Sequence, residues 1–376
     1  MTAVRPLALT PETCPRLVVK IGSSLLIGAD GRIRDAWLAS VAADVAAARA
    51  AGQQVIIVSS GSIALGARRL GLEKGGRASL EDAQAAAAVG QVALAAAWEA
   101  ALSAKGMMAA QILLTLDDLE DRRRFLNASA TLARLLSLGV VPVLNENDTV
   151  ATGEIRFGDN DRLAARTGHA AGADGVLLLS DVAGLYTANP NTDAGATLLA
   201  HVPVITPEIE AMATGGSGSG LGTGGMAAKL VAARMAMAAG MRLAIADGRG
   251  RHPLARHQAG EACTMFTPKK AERGRKLWLA GRQRLAGRLL LDAGAAAAVL
   301  RGKSLLAAGV LGVEGKFSRG DVVALVGPDG VIGRGLCGYD ADEARMILGL
   351  RYEDQGAVLG YAPRTALVHA DHLVVL

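Results

Sequence analysis

The feature that most restricts the fold of this chain is a repeated alternation over its first 250 residues. Short apolar runs alternate with longer segments of helical period. The runs are 16–21 (RLVVKI), 54–59 (QVIIVS), 109–114, 140–144 (VVPVL), 175–179 (GVLLL) and 242–246 (RLAIA). Each is built on a continuous apolar stretch and does not alternate regularly with polar residues. Strands read that way when helices cover both faces of a parallel sheet. Between them, 36–51 places Trp37, Val41 and Val45 on one helical face. Further helices are expected near 62–70, 82–105, 122–138, 160–171 and 226–239. The pattern predicts a three-layer α/β/α sandwich with a mainly parallel sheet.

At 376 residues the chain has room for two or three domains. Hydrophobic residues are 51% and aromatics only 3%, so the core must be built from Ala, Val, Leu and Ile. The most apolar stretch, 83–102, is interrupted by Gln84, Gln91 and Glu99 and reads as a packed helix, not a membrane span. The first ten residues have no secretory pattern. Cys14, Cys263 and Cys337 are scattered and odd in number, which argues against a disulfide framework and fits a cytoplasmic protein. The six histidines form no zinc-like cluster with them, and His252 and His257 are spaced for structural roles, so no metal ligand is assigned.

The texture changes beyond about residue 265. Residues 269–303 hold ten Lys or Arg against Glu272 and Asp292, a balance of +8. The chain's net +5 therefore leaves the rest near −3 (5 − 8). That is a basic connector more than a nucleic-acid-binding body. Glycine-punctuated runs at 309–313, 321–326, 330–335 and 366–376, with a helix near 340–349, predict a small β-rich domain. The expected division is 1–268, a basic linker 269–284, and 285–376.

Polar loops at the strand ends carry the candidate chemistry, because ligands of open α/β sheets bind at the carboxyl ends of strands. Lys20-Ile21-Gly22-Ser23-Ser24 closes the first run. A lysine beside a glycine and serines can meet phosphate oxygens with charge and N–H donors; alone, it is equally a solvated lysine at a turn. Ser59-Ser60-Gly61-Ser62 closes the second run before a helix, where hydroxyls and N–H groups suit a carboxylate or simply cap the helix. Residues 145–161 (NENDTVATGEIRFGDND) gather Asn145, Glu146, Asn147, Asp148, Asp159, Asn160 and Asp161. Such a set can bind an ammonium group, hold magnesium or orient lysines. Lys229 follows Thr223, Gly224 and Gly225 at a helix start, within reach of a phosphate. The glycines at 220, 222 and 225 also match a dinucleotide fingerprint, but the segment before them (PEIEAMATGGSGS) is not a strand. The low-complexity stretch 214–225 reads better as an active-site loop.

Together these segments resemble the amino-acid kinase family, and within it the members that phosphorylate glutamate. The match rests on VVKIGSS at 18–24, VSSGSIALG at 58–66, DRRRFLN at 121–127, VLNENDTVAT at 143–152, FGDNDRLAA at 157–165, LLLSDVAGLYTANP at 177–190 and SGLGTGGMAAK at 219–229. GKSLLAAGV at 302–310 and GKFSRGDVV at 315–323 resemble a PUA domain. The resemblance implies that Lys20 and Lys229 contact ATP phosphates and that Asp161 orients both lysines. It implies that Ser60, Asp148 and Asn160 bind glutamate. Lys20, Ser180, Asp181 and the run Thr223, Gly224, Gly225, Met226, Ala227, Ala228 and Lys229 would line the nucleotide site. The family commonly shows Gly-Thr-Ser where this chain has Gly22-Ser23-Ser24, Ser180 stands where threonine is usual, and Ala227-Ala228 replace a more polar pair. The lysines and glycines are kept.

The resemblance implies transfer of the γ-phosphoryl group of ATP, with Mg2+, to the side-chain carboxylate of L-glutamate, the first step of proline synthesis. It also implies feedback inhibition by proline and a homo-oligomer, dimer or tetramer, without membrane or nucleic-acid partners. A carboxylate with a reference pKa near 4.3 is ionised at neutral pH and needs no general base. This agrees with a site rich in lysine and free of a catalytic histidine. The alternatives are another carboxylate- or carbamate-phosphorylating kinase, an RNA-binding protein suggested by the PUA-like end, and a dinucleotide-dependent oxidoreductase.

Overall fold

In a computed structural model the chain is described over residues 8–150, 159–190, 192–214, 223–268, 285–364 and 366–375. Residues 151–158 of the polar segment, most of the glycine-rich loop and the basic linker lie outside these residues. By its contacts the chain divides into two units, residues 1–121 with 127–271, and residues 122–126 with 272–376.

The first unit contains strands β1 (Arg16–Ile21), β2 (Gln54–Ser59), β3 (Ala109–Leu114), β4 (Val141–Glu146), β5 (Gly175–Ser180), β6 (His201–Val202), β7 (Arg242–Asp247) and β8 (Cys263–Phe266). Its helices are α1 (Ser23–Leu26), α2 (Asp35–Ala50), α3 (Ser62–Leu70), α4 (Leu80–Ser103), α5 (Leu116–Glu120), α6 (Arg122–Ser137), α7 (Asp159–Ala171), α8 (Pro207–Thr214), α9 (Thr223–Ala238) and α10 (Pro253–Gln258). The eight strands pair in the order β3-β4-β2-β1-β5-β7-β8-β6. Pairing is parallel except between β7 and β8. The expected mainly parallel sheet is present. β8, a four-residue run with no sequence signal of its own, adds the antiparallel pair.

Helices α2, α4 and α10 pack together against one face of the sheet, and α7 and α9 pack together against it as a separate layer. Strand alternation assigns the side chains. Leu17, Val19 and Ile21 of β1 join the cluster of Trp37, Val41, Leu94 and Trp98. Val18 and Lys20 therefore point to the opposite face, where α7 contacts β1. β1 lies between β2 and β5, so connections leave it in both directions. That arrangement opens a crevice beyond the strand ends.

Two glycines bring α4 unusually close to α3. A Cβ on Gly66 would lie 1.7 Å from the carbonyl oxygen of Ala86, and one on Gly90 would lie 1.8 Å from that of Ser62. Among the described residues, α4 is the one helix long and apolar enough to cross a membrane. Here its Leu94, Trp98 and Leu102 are in the core. Ser79 caps its start by accepting from the Asp82 N–H at 3.1 Å.

The N-terminal segment is pinned by polar contacts beneath the sheet. The Leu9 N–H donates to His257 Nε2 at 3.2 Å, and Gln53 Nε2 donates to the carbonyls of Leu9 (3.2 Å) and Cys14 (2.7 Å). Burial, with the Arg242 charge nearby, pushes His257 from 6.5 down to about 4. Because Nε2 is an acceptor here, protonation would oppose the Leu9 bond. The folded pKa is below the unfolded one, so this stability is complete above pH 6.5 and is lost as pH falls toward 4. A drop from 6.5 to about 4 corresponds to about 3 kcal/mol at 1.36 kcal/mol per pH unit. Urea unfolding should show the unmodified chain losing about that much more than His257→Gln across this interval. Equal pH slopes would show that the imidazole is not held neutral.

The second unit has a five-stranded sheet in the order β10-β9-β11-β12-β13. The strands are β9 (Gly287–Leu291), β10 (Val310–Gly315), β11 (Val322–Gly327), β12 (Gly330–Leu336) and β13 (Leu373–Val375). Short helices α11 (Ala293–Leu300), α12 (Ala341–Met346) and α13 (Tyr352–Leu359) accompany them. Its own core contains Leu289, Val299, Phe317, Leu325, Tyr339 and Ile347. The β-rich expectation holds. β9, α11 and α13 were not expected, and only the last part of 366–376 is strand.

Candidate active site

Three charged residues from three elements meet at one carboxylate. Lys20 ends β1 on the α7 side, Asp161 lies in the first turn of α7, and Lys229 lies on α9. Lys20 Nζ is 2.6 Å from Asp161 Oδ1 in a close ion pair. Lys229 Nζ donates to Asp161 Oδ2 at 3.1 Å and lies 3.5 Å from the Gly225 carbonyl. Side-chain exposure is 8% for Lys20, 12% for Lys229 and 0% for Asp161, so two ammonium groups share one fully buried carboxylate. Burial alone would raise Asp161, but Lys20 and Lys229 outweigh it and hold the carboxyl below its usual range. Burial pushes Lys20 down, which Asp161 opposes and Lys229 reinforces. One excess positive charge at a strand-end crevice suits an anionic group.

The residues expected on the nucleotide side lie at the end of β5 and the start of α9. Ser180 ends β5 and is buried, and its hydroxyl donates to Asp181 Oδ1 at 3.1 Å. Its carbonyl accepts from the Gly248 N–H at 2.7 Å, which ties it to the loop after β7. Asp181 is exposed, and its charge still reaches Lys20. Thr223 and Gly224 are described only as the backbone that begins α9. Gly225 is exposed, and a Cβ there would meet nothing within 4 Å. Met226, Ala227 and Ala228 complete the first turns and are half-buried.

A second, hydrogen-bonded polar network lies beside the triad. Asn160 Nδ2 donates to Ser60 Oγ at 2.8 Å and to Asn145 Oδ1 at 3.2 Å. Asn145 Nδ2 faces Gln91 Oε1 at 2.8 Å and Ser62 Oγ at 3.2 Å. The Ser62 hydroxyl donates to Asp148 Oδ2 at 3.3 Å. Ser60, Asp148 and Asn160, separated by up to 100 residues, thus share one hydrogen-bonded cluster. Asn145 and Asp148 are buried. Because Asn160 and Asp161 are adjacent on α7, the polar network and the charged triad adjoin.

The described part of the chain holds no cluster of three His, Cys, Asp or Glu fit for a metal ion. A cavity of about 340 Å³ is lined by Asn145 together with Gln91, Leu94, Trp98 and Gln111. It is next to the polar network and does not include the lysines.

Residues 15–247 match the model of the amino acid kinase family. The chain belongs to the amino acid kinase family. Residues 287–356 match the PUA domain, in the second unit. The chain is 60% identical over 366 residues to the glutamate 5-kinase of Novosphingobium aromaticivorans, covering 97% of each chain. It is 59% identical to the glutamate 5-kinase of Sphingopyxis alaskensis over 97% of this chain and 99% of that protein. Among solved structures, isopentenyl phosphate kinase matches 67% of this chain and all of that one, at 19% identity and a TM-score of 0.46. The kinase family implies ATP as the phosphoryl donor.

The sequence assigned no role to Gln91, which stood out only as a break in an apolar helix. Ser62 and Asn145 were legible as members of polar loops, but not as the links between the candidate substrate residues. The one local signal for Gln91 is its place beside Gly90, the residue that lets α4 approach Ser62.

Proposed function

We propose that this kinase transfers the γ-phosphoryl group of ATP to the side-chain carboxylate of L-glutamate, opening proline biosynthesis. The carrying observation is the buried Lys20–Asp161–Lys229 triad next to the Ser60–Asn160–Asp148 network. Near-full-length kinship to proteins named glutamate 5-kinase supports the choice of glutamate.

The step balances without a proton donor or acceptor. A glutamate carboxylate oxygen forms a bond to the γ-phosphorus. The bond from that phosphorus to the bridging oxygen breaks, and ADP keeps the electron pair. The products are glutamyl 5-phosphate and ADP. Both reactants are anionic, so positive charge must stand between them, and Lys20 and Lys229 supply it. Asp161 holds the two ammonium groups in place and neutralises only one of them. Asp148 and Asn160 hold the amino-acid end, with Ser60 fixed by Asn160. Mg2+, when bound, would help neutralise the nucleotide's phosphates; the described residues offer it no cluster of three carboxylate, His or Cys ligands, so the nucleotide itself would carry it.

Proline carries a cationic α-nitrogen, a secondary ammonium, beside an α-carboxylate as glutamate does, so feedback inhibition at the Asp148–Asn160 pocket belongs to this reading. So does a homo-oligomer, supported by exposed apolar residues on α4 such as Val92, 69% exposed. A cytoplasmic location follows from the reaction's soluble reactants. The boundaries 1–268 for the kinase domain, 269–284 for the linker and 285–376 for the PUA-like domain are part of the same proposal.

ADP release measured with glutamate, N-acetylglutamate, aspartate and carbamate tests the substrate. Turnover should be confined to glutamate, and preference for another acceptor would overturn this reading. In the same assay Asp148→Asn should raise the glutamate KM by about 10-fold or more, as a charged hydrogen bond of about 1.5–3 kcal/mol is lost, with the ATP KM unchanged. An unaltered glutamate KM would remove Asp148 from the pocket.

A further inference from the structure

We propose that Gln91 is a positioning residue that, together with Asp148, holds the polarity of the amide network, so that Asn160 presents its carbonyl oxygen to the α-ammonium group of the substrate. This rests on the reading of glutamate as substrate.

A carboxamide has a donor end and an acceptor end, and its neighbours decide which end faces a ligand. Gln91 Oε1 accepts from Asn145 Nδ2 at 2.8 Å. With its nitrogen engaged there, Asn145 turns its oxygen to Asn160 Nδ2 at 3.2 Å. Asn160 Nδ2 donates its second hydrogen to Ser60 Oγ at 2.8 Å. Both N–H groups of Asn160 are then used. Its Oδ1 is buried and has no partner among the described residues.

A buried acceptor left unpaired costs about 1–3 kcal/mol, which a ligand donor would remove. The only donor of ionised glutamate is its α-ammonium group. Asp148 belongs to the same network through Ser62, so a full negative charge and a carbonyl oxygen are both offered to that cation. The reverse polarity, with all three amides turned, would aim an N–H of Asn160 at the ligand and favour a carboxylate. Two acceptors hold the first arrangement: Gln91 Oε1, and Ser62 Oγ, whose own hydrogen is committed to the acceptor-only Asp148. Gln91 reaches Asn145 because Gly90, its neighbour, has no side chain to hold α4 away from Ser62.

Glutamate can only accept at position 91, whereas methionine has nearly the same length and neither accepts nor donates strongly. Gln91→Glu should keep the glutamate KM within about threefold of the unmodified enzyme. Gln91→Met should raise it about 10-fold or more, with the ATP KM unchanged. Glutarate, which lacks the ammonium group, separates positioning from general damage. The preference in kcat/KM for glutamate over glutarate should shrink in Gln91→Met by the factor lost on glutamate, and persist in Gln91→Glu. A normal glutamate KM in Gln91→Met, equal losses on both acids, or equal damage from Gln91→Glu would each overturn the inference. The unmodified enzyme is the control. If it does not turn over glutamate, the substrate reading fails and this inference with it; if it does, those three outcomes overturn the inference alone.

Discussion

Lys229→Met is expected to lower kcat by about 10²–10³, the usual cost of removing one donor aimed at developing transition-state charge. Lys20→Met should lose about as much. The structural ground is the shared carboxylate, with Lys20 Nζ at 2.6 Å from one Asp161 oxygen and Lys229 Nζ at 3.1 Å from the other. Neither lysine is needed to hold the amino-acid end, so the glutamate KM should change little. The two ammonium groups act on one phosphoryl group, and the double variant should therefore lose less than the product of the single losses. The measurement is kcat with both KM values for the three variants, with circular dichroism as the folding control. Near-normal kcat in Lys229→Met would sink the two-lysine clamp and leave α9 a role in nucleotide binding alone.

The second large effect belongs to Asp161→Asn. Removing one partner of a buried ion pair costs about 3–5 kcal/mol, because the remaining charge stays buried without compensation. Here two lysines would be left. Both stability and kcat should fall, the latter because the ammonium groups are no longer fixed. The pH dependence gives a sharper test. Lys20 is already pushed below its ordinary 10.5 by burial, and without Asp161 it would fall further. A lysine whose folded pKa is below its unfolded pKa destabilises the fold while it must carry its proton, and relieves that cost as pH rises. The stability gap between the unmodified chain and Asp161→Asn should thus narrow from pH 7 toward pH 10. In the unmodified chain the depressed Asp161 carboxyl contributes stability above its ordinary 3.8, lost as pH falls below that value. A gap that stays constant from pH 7 to 10 would show that the lysines are not held charged by Asp161.

Several elements were readable because each carried its own signal. β1 and β2 were expected at 16–21 and 54–59 and occur there, since both are apolar runs bounded by polar residues. α3 begins at Ser62 and ends before Gly71, whose φ of +66° suits glycine. The elements that were missed lacked such signals. β8 is four residues long and gains its place only by pairing with β7. β9 follows directly on a strongly basic segment, and its GRLLL is stabilised by neighbours on both sides, β10 and β11. The alanine-rich α11 has a helical composition but sits within glycine-punctuated runs that read as strand and turn.

The amino-acid sequence by itself determined the α/β architecture, the β-rich C-terminal unit and which loops carry polar groups. These follow from local periodicity and from residue types that cannot be buried unpaired. Only the tertiary structure decided which of those groups meet. Lys20 reaches Asp161 because strand parity turns it toward α7, and a one-residue slip of β1 would send it into the Trp37 cluster instead. Lys229 reaches the same carboxylate from 68 residues away because α9 packs beside α7. Gln91 joins the polar network because two helices approach closely at Gly66 and Gly90. Distances of this kind depend on sheet order and helix packing, which no local pattern encodes.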